Sequence, residues 1–266
     1  MIKKLIKKGF KNIWKHRLLF LIMFVMQIVF IGIISYVGVH YYLETMGHAG
    51  ALLDQVEALT TEQILGMQVA EPYEMYEHYK AMIHSVIMGI VIGYLVFLLF
   101  DGIVWNLTNM MVNKARHLKD ILWYHLKYVI VFSIFTIPLL LIILGLVKTI
   151  ALTGSNVHFA IGTIAFSLID AYFLAICLGI CYEYKLKELM LLLKRTFWLG
   201  YKKAKILVAM SLIILGVYVA AGVLLYYSTA SLGLLVLCAV LFILAVNWGR
   251  VTCMTTVRAV NKKEID

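Results

Sequence analysis

Asp170 is the residue of this chain best placed to do chemistry. It stands inside an otherwise apolar run, residues 159–182, eleven positions after Phe159. At 1.5 Å rise per residue that is about 16 Å along a helix, the midpoint of a roughly 30 Å hydrocarbon slab. An ionisable group at that depth costs at least about 2.5–3.5 kcal/mol on insertion scales and marks an ion or proton path, or a paired structural contact. Gln27, nine residues into the run 18–42, reaches the same depth from the other side, and so does Pro138 in the run 128–152. Proline removes the N–H that would bond the carbonyl four residues back, at Ile134, while Ser133 and Thr136 supply hydroxyls beside the gap. A carboxylate, an amide and an interrupted helix ladder at one depth could form a proton or cation site, by physical analogy with the midplane sites of transporters. A neutral Asp170 bonded to Gln27 or to a backbone carbonyl would instead hold helices together and move nothing. Residue types alone leave both readings open.

A second set could hold a metal. His40, Glu44 and His48 recur at every fourth position, Glu74 and His78 repeat the i, i+4 pair, and His158 stands before another apolar run. Imidazole and carboxylate on one helix face can bind zinc or another divalent ion. Gly47 weakens the helix near His48, and no HExxH motif is present. A solvated, partly ion-paired acidic loop accounts for the same residues. The four cysteines, Cys177, Cys181, Cys238 and Cys253, lie within apolar runs or beside basic segments. They read as small buried apolar residues rather than a disulfide framework or a metal site.

The elements that must position these groups are six apolar runs, 18–42, 81–100, 128–152, 159–182, 206–227 and 232–248, each long enough for a membrane-spanning helix. With 63% hydrophobic residues, 14% charged and two prolines, no soluble globular class fits. The expected fold is all-α, a polytopic membrane protein of six transmembrane helices in three hairpins, forming a single membrane domain over 1–266. The first run is too long for a signal-peptide core and lacks a small-x-small cleavage site, so it reads as an uncleaved span.

The net charge of +10 would suggest nucleic acid in a soluble domain, but its distribution points to the membrane. Lys and Arg gather in the N-terminal segment, in 114–127, in 185–205 and in the tail, whereas 44–77 carries seven carboxylates and no Lys or Arg. Short basic loops stay cytoplasmic. Both termini are therefore expected inside, in a cytoplasmic membrane, with 43–79 as the large outer loop. Within that loop 49–59 reads as helical, Thr60 or Thr61 as the cap of a short second helix ending at Gly66, and Pro72 as the start of the lead into span two.

Three basic, Trp-bearing stretches precede spans one, three and five: Trp14 with Arg17, Trp123 with Lys127, and Trp198 with Lys202. Tryptophan settles at headgroup level while Lys and Arg meet lipid phosphates. The sequence thus predicts three hairpins, each preceded by a basic interfacial helix on the cytoplasmic side, from an internal repeat or from three solutions to one anchoring problem. Spans two and four are expected to run on past the membrane through 102–112 and 183–193, the latter carrying Glu183, Lys187 and Glu188 at helical spacing. Asp101 and Asn247 fall near the inner interface.

No phosphate-binding loop, dinucleotide fingerprint, GxSxG or CxxC pair occurs, and cytoplasmic loops of about 15–25 residues leave no room for a nucleotide-binding or catalytic domain. No enzyme activity and no cofactor are expected. The opening Gly9-Phe-Lys-Asn-Ile-Trp-Lys-His-Arg-Leu18 followed by hairpin spans resembles uncharacterised six-helix membrane proteins common in archaea and some bacteria. That resemblance implies a prokaryotic integral membrane protein and transfers no functional residue. Two functions are expected from the residues. One is a small transporter or permease-like component passing a substrate or proton near Asp170. The other is a non-catalytic scaffold or accessory subunit, which binds a protein partner or anionic headgroups, and no nucleic acid, through its basic cytoplasmic helices.

Overall fold

In the computed structural model, residues 1–58, 72–113, 118–153, 157–228 and 231–262 are described. Among them there are α-helices and short 3₁₀ turns but no strand. The helices are α1 (Ile2–Lys15), α2 (Arg17–Ala58), α3 (Pro72–Asn113), α4 (Leu118–Thr153), α5 (Val157–Ile180), α6 (Leu189–Lys202), α7 (Ala204–Tyr227) and α8 (Leu232–Lys262). Six of them, α2 to α5, α7 and α8, are long and apolar enough to cross a membrane. The protein is an all-α polytopic membrane protein.

Several helices outrun the apolar windows. Helices α2 and α3 have 42 residues each and α8 has 31, so they measure about 63 and 46 Å against a roughly 30 Å slab. Helix α2 passes through Gly47 to Ala58 without a break, and Pro72 opens α3, where its fixed φ and missing N–H are tolerated. The expected elements at 60–66 lie outside the described residues.

Two expectations need correction. Span four does not run on as a helix to residue 193. Helix α5 ends at Ile180, two 3₁₀ turns follow (Cys181–Glu183 and Leu186–Glu188), and Tyr184 and Lys185 adopt extended backbone at ψ 147° and 157°. The Glu188 carboxylate accepts the Lys185 backbone N–H at 2.9 Å, closing a capping box on the Leu186–Glu188 turn, and α6 begins as a new helix directly after it. Separate interfacial helices precede spans one and five (α1 and α6), where His16 and Lys203 break the backbone at φ −117° and −111°. Before span three, by contrast, residues 118–127 are continuous with the spanning helix α4.

The chain divides into two compact units. One, 26–101, is an antiparallel pair formed by α2 and α3. Phe30 meets Phe97 and Phe100 at ring separations of 5.9 and 6.0 Å, and a Cβ on Gly89 would stand 3.0 Å from that of Tyr41. The missing side chain allows the helices to approach that closely.

The other unit comprises 1–25 and 102–266. Its hub is α8, against which α1, α5 and α7 pack. Helix α1 is amphipathic: Leu5 and Gly9 are buried, while Lys3, Lys4, Lys7, Lys8, Lys11 and Lys15 are exposed. Its apolar stripe packs with Met210 and Ile214 of α7. A Cβ on Gly9 would lie 2.8 Å from the Thr252 hydroxyl of α8, so glycine sets the crossing distance. Helix α6 buries Leu192, Thr196, Leu199 and Gly200 and turns Met190, Phe197 and Tyr201 outward. An outward apolar-aromatic face beside Lys194 and Lys202 suits a helix lying in a headgroup layer.

Candidate functional site

The midplane residues are placed as follows. Asp170 is half-buried in α5, and no hydrogen bond to its carboxylate is found among the described residues. Pro138 lies inside α4, which continues through it from Leu118 to Thr153, so the expected broken ladder is confined to one carbonyl within an intact helix. The Thr136 hydroxyl donates to the carbonyl of Phe132, one turn back, rather than to that of Ile134. Gln27 is half-buried and belongs to the 26–101 unit, whereas Asp170, Thr136 and Pro138 belong to the other.

The anchoring residues divide. Trp14 and Arg17 are exposed, Trp123 is 48% exposed, and Trp198 lies between the Arg195 guanidinium at 4.3 Å and the Lys202 ammonium at 4.4 Å. Lys127 departs from the expected role. It is 7% exposed and donates to the Tyr184 carbonyl at 2.5 Å. It thereby ties α4 to the extended link before α6, which matches the absence of a separate helix before span three. Asp101, expected at a wet interface, is buried.

Of the outer metal candidates, the structure brings two together. The Nδ1 atoms of His48 and His78 lie 3.3 Å apart, and Glu74, one turn before His78, accepts from Gln55 at 3.5 Å. His40 stacks along the helix on Tyr36, and Glu44 is exposed. Among the described residues no three His, Cys, Asp or Glu side chains converge on one point. The side chain of His158 lies outside them.

Two features of the larger unit are absent from the sequence reading. The first is a buried polar layer at the end of the unit that carries the C-terminal part of α8. Arg258 is 4% exposed. Its Nη2 donates to Asn109 Oδ1 at 2.5 Å and its Nε to the Gly179 carbonyl at 3.3 Å. Its guanidinium lies 3.7 Å from the centre of the Tyr182 ring. One turn on, Asn261 donates to Glu183 at 2.6 Å and accepts from Arg195 at 3.1 Å. Buried charge survives only where it is hydrogen-bonded, and here one arginine joins α3, α5 and α8. These residues are far apart in sequence and individually resemble interface anchors. The local signal is that Thr252, Thr255, Thr256 and Arg258 crowd one short segment of α8. Asn247 is fully buried with neither amide atom hydrogen-bonded among the described residues.

The second is a cavity of about 480 Å³ between α5, α7 and α8, reached also by Trp105 of α3. Its walls are Leu168, Ile169, Leu212, Leu215 and similar side chains, and its polar residues are Ser211, Tyr172, Tyr218 and Arg250. The Tyr172 hydroxyl donates to the Gly200 carbonyl at 2.9 Å and that of Tyr218 to the Val246 carbonyl at 3.1 Å. Arg250 is the charged residue of the lining. Tyr218 fits because residue 249 is glycine: a Cβ there would come within 2.1 Å of the hydroxyl oxygen. Arg250 is eighteen residues along α8 from Leu232, about 27 Å, and so sits near one membrane face while the cavity runs toward the midplane. Asp170 does not line it. The volume lies within the roughly 300–1,000 Å³ of small-molecule sites.

The chain matches no protein-family model, no curated protein and no solved structure.

Proposed function

We propose that this chain is a non-catalytic membrane scaffold that binds anionic phospholipid on the membrane face occupied by α1 and α6. One acyl chain fills the α5–α7–α8 cavity and the lipid phosphate meets Arg250. The observation that carries this reading is the cavity itself, apolar along its length with a guanidinium at the headgroup end. Arginine matches phosphate oxygens bidentately. The six exposed lysines of α1 supply a sequence-independent attraction to the same headgroups. The distribution of Lys and Arg supports a cytoplasmic location for this face. The test is native mass spectrometry of protein extracted from bilayers containing equal phosphatidylglycerol and phosphatidylcholine. Wild type retains the anionic lipid preferentially, and Arg250→Gln reduces its retention about tenfold, the effect of losing about 1.4 kcal/mol. Equal retention of both lipids by wild type overturns the proposal.

A transport role keeps one specific support: a half-buried carboxylate in the middle of a spanning helix without a hydrogen-bond partner among the described residues. Such a group is a functional candidate by its cost alone. On that reading Asp170→Asn abolishes uptake in proteoliposomes and leaves the fold intact. A fully active Asp170→Leu variant would end it.

A further inference from the structure

We infer that the His48–His78 contact is a pH-sensitive latch, which holds the loop end of the α2–α3 pair closed and releases it on acidification. None of its residues belongs to the unit holding the cavity, so the latch is independent of the lipid reading. The half-buried positions of α2 at this end include Tyr41, Thr45, His48, Leu52 and Gln55. Those of α3 include Met75, His78 and Met82, followed by the buried Ser85. Alternating steps of three and four mark the seam of two helices coiled on each other. Farther from the loop that seam is apolar, with Phe30 against Phe97 and Phe100. Toward the loop it turns polar. There the ties between the helices among the described residues are His48–His78 and the longer Gln55–Glu74 contact at 3.5 Å.

The geometry of the contact makes it depend on protons. The two Nδ1 atoms lie 3.3 Å apart with the rings inclined at 45°, a ring-to-ring hydrogen bond. A neutral imidazole has one donor and one acceptor nitrogen, so the donor ring carries its proton on Nδ1 and the acceptor ring on Nε2. A first added proton binds Nε2 of the donor ring and leaves the bond in place. A second must take the acceptor Nδ1 itself, which removes the bond and sets two like charges face to face. Histidine changes charge between about pH 5 and 8. The charged or titratable groups near the pair on α2 are His40, Glu44, Asp54 and Glu57, and on α3 Glu74, Glu77, Lys80 and His84, all exposed. Glu44 stands one turn before His48, and Glu74 one turn before His78, so each imidazolium has a carboxylate on its own helix face. Protonation thus exchanges one contact between the helices for two contacts within them.

The chain beside His48 is built to yield. Gly47 and Gly50 lie inside α2, and a Cβ added to either would meet nothing within 4 Å among the described residues. Packing therefore does not demand glycine at these positions, and glycine weakens a helix interior. The result is a soft turn at the latch, from which the end of α2 opens locally while the apolar part of the hairpin holds.

The experiment is hydrogen–deuterium exchange of the full-length protein in nanodiscs at about pH 5 and about pH 8, with rates corrected for the intrinsic pH dependence of exchange. An opening that takes up one more proton than the closed state becomes about tenfold easier per pH unit. Protection of residues 45–58 and 72–82 should therefore fall at least about tenfold in acid, while that of 26–40 stays constant. The double variant His48→Gln/His78→Gln, whose amides keep the seam polar and cannot be protonated, should lose this dependence. Gly47→Ala/Gly50→Ala retains both imidazoles, adds methyl groups to open space, and should raise protection in acid and so reduce the fall. Wild-type protection that is the same at both pH values overturns the inference, and so does a full acid response in the double histidine variant. An undiminished fall in the alanine variant overturns the hinge. Circular dichroism of each protein at both pH values separates local opening from loss of the whole fold.

Discussion

Replacing Arg258 with alanine is the most demanding test of how this bundle is held together. The side chain is 4% exposed and supplies two hydrogen bonds, to Asn109 at 2.5 Å and to the Gly179 carbonyl at 3.3 Å, and a contact at 3.7 Å with the Tyr182 ring. Hydrogen bonds involving a charged group are worth about 1.5–3 kcal/mol each. A desolvated cation over an aromatic ring adds about 2 kcal/mol. Truncation also removes the Arg258 donors from Asn109 and the Gly179 carbonyl, while relaxation and entering water return part of the loss. The expected cost is about 3–5 kcal/mol, the range for removing one member of a buried charged contact. The assay is unfolding in mixed micelles, driven by increasing SDS and followed by tryptophan fluorescence. Asn109→Ala, measured alone and with Arg258→Ala, gives the coupling: the double variant should be less destabilised than the sum of the singles by about 1–3 kcal/mol. A loss below about 1 kcal/mol for Arg258→Ala, or strict additivity with Asn109→Ala, would refute the claim that this arginine joins the helices.

Further outcomes follow from single contacts. Gly249→Ala places a methyl group within 2.1 Å of the Tyr218 hydroxyl oxygen and 2.8 Å of Ile214. It should lower stability by about 1–3 kcal/mol, and less so in a Tyr218→Ala background; equal losses in both, by thermal unfolding in detergent, would disprove the contact. Asp170→Leu should be at least as stable as wild type, because it removes a polar group for which no hydrogen bond is found among the described residues and gains an apolar one; a large loss would reveal a partner. Reversing Lys7, Lys8 and Lys11 on the exposed face of α1 should weaken affinity for anionic membranes about fivefold per cation removed. That loss should fade at high ionic strength, and nanodisc lipid exchange at two salt concentrations measures both.

The six apolar runs announced six spanning helices because hydrocarbon demands continuous apolarity, and composition records that demand directly. Helix ends were harder to read. Apolarity stops at Trp248, yet α8 continues to Lys262, because Thr252, Thr255, Thr256 and Arg258 are buried inside the protein rather than turned outward to lipid. Residues 183–193 show helical charge spacing, but Glu188 caps the short turn Leu186–Glu188 instead of pairing along a continued helix. Lys127 has the composition of an anchor and the environment of a core residue, and only the position of the Tyr184 carbonyl decides between them. The Arg258 layer and the Arg250 cavity are each assembled from several helices separate in sequence, so a local pattern does not reveal them. The His48–His78 contact was half legible: spacing put each imidazole on a face with a carboxylate, and antiparallel pairing supplied the partner.

The docking of α1 on α8 bears on how the molecule assembles during synthesis. Asn12 donates to Thr255 at 3.2 Å across 243 positions of sequence, so the two surfaces cannot meet until nearly all the intervening chain has been made. Until then α1 has an apolar stripe without its protein partner and six lysines on the opposite face, the pattern that holds a helix on an anionic bilayer surface. On the lipid-binding reading proposed above, the lipid surface would act as a placeholder for α8. Maturation would then be an exchange in which the stripe Leu5–Gly9 leaves the acyl-chain boundary for Met210, Ile214 and Thr252 while the lysines would keep their contact with headgroups. A bilayer poor in anionic lipid would then slow assembly of this protein before it affected the finished fold.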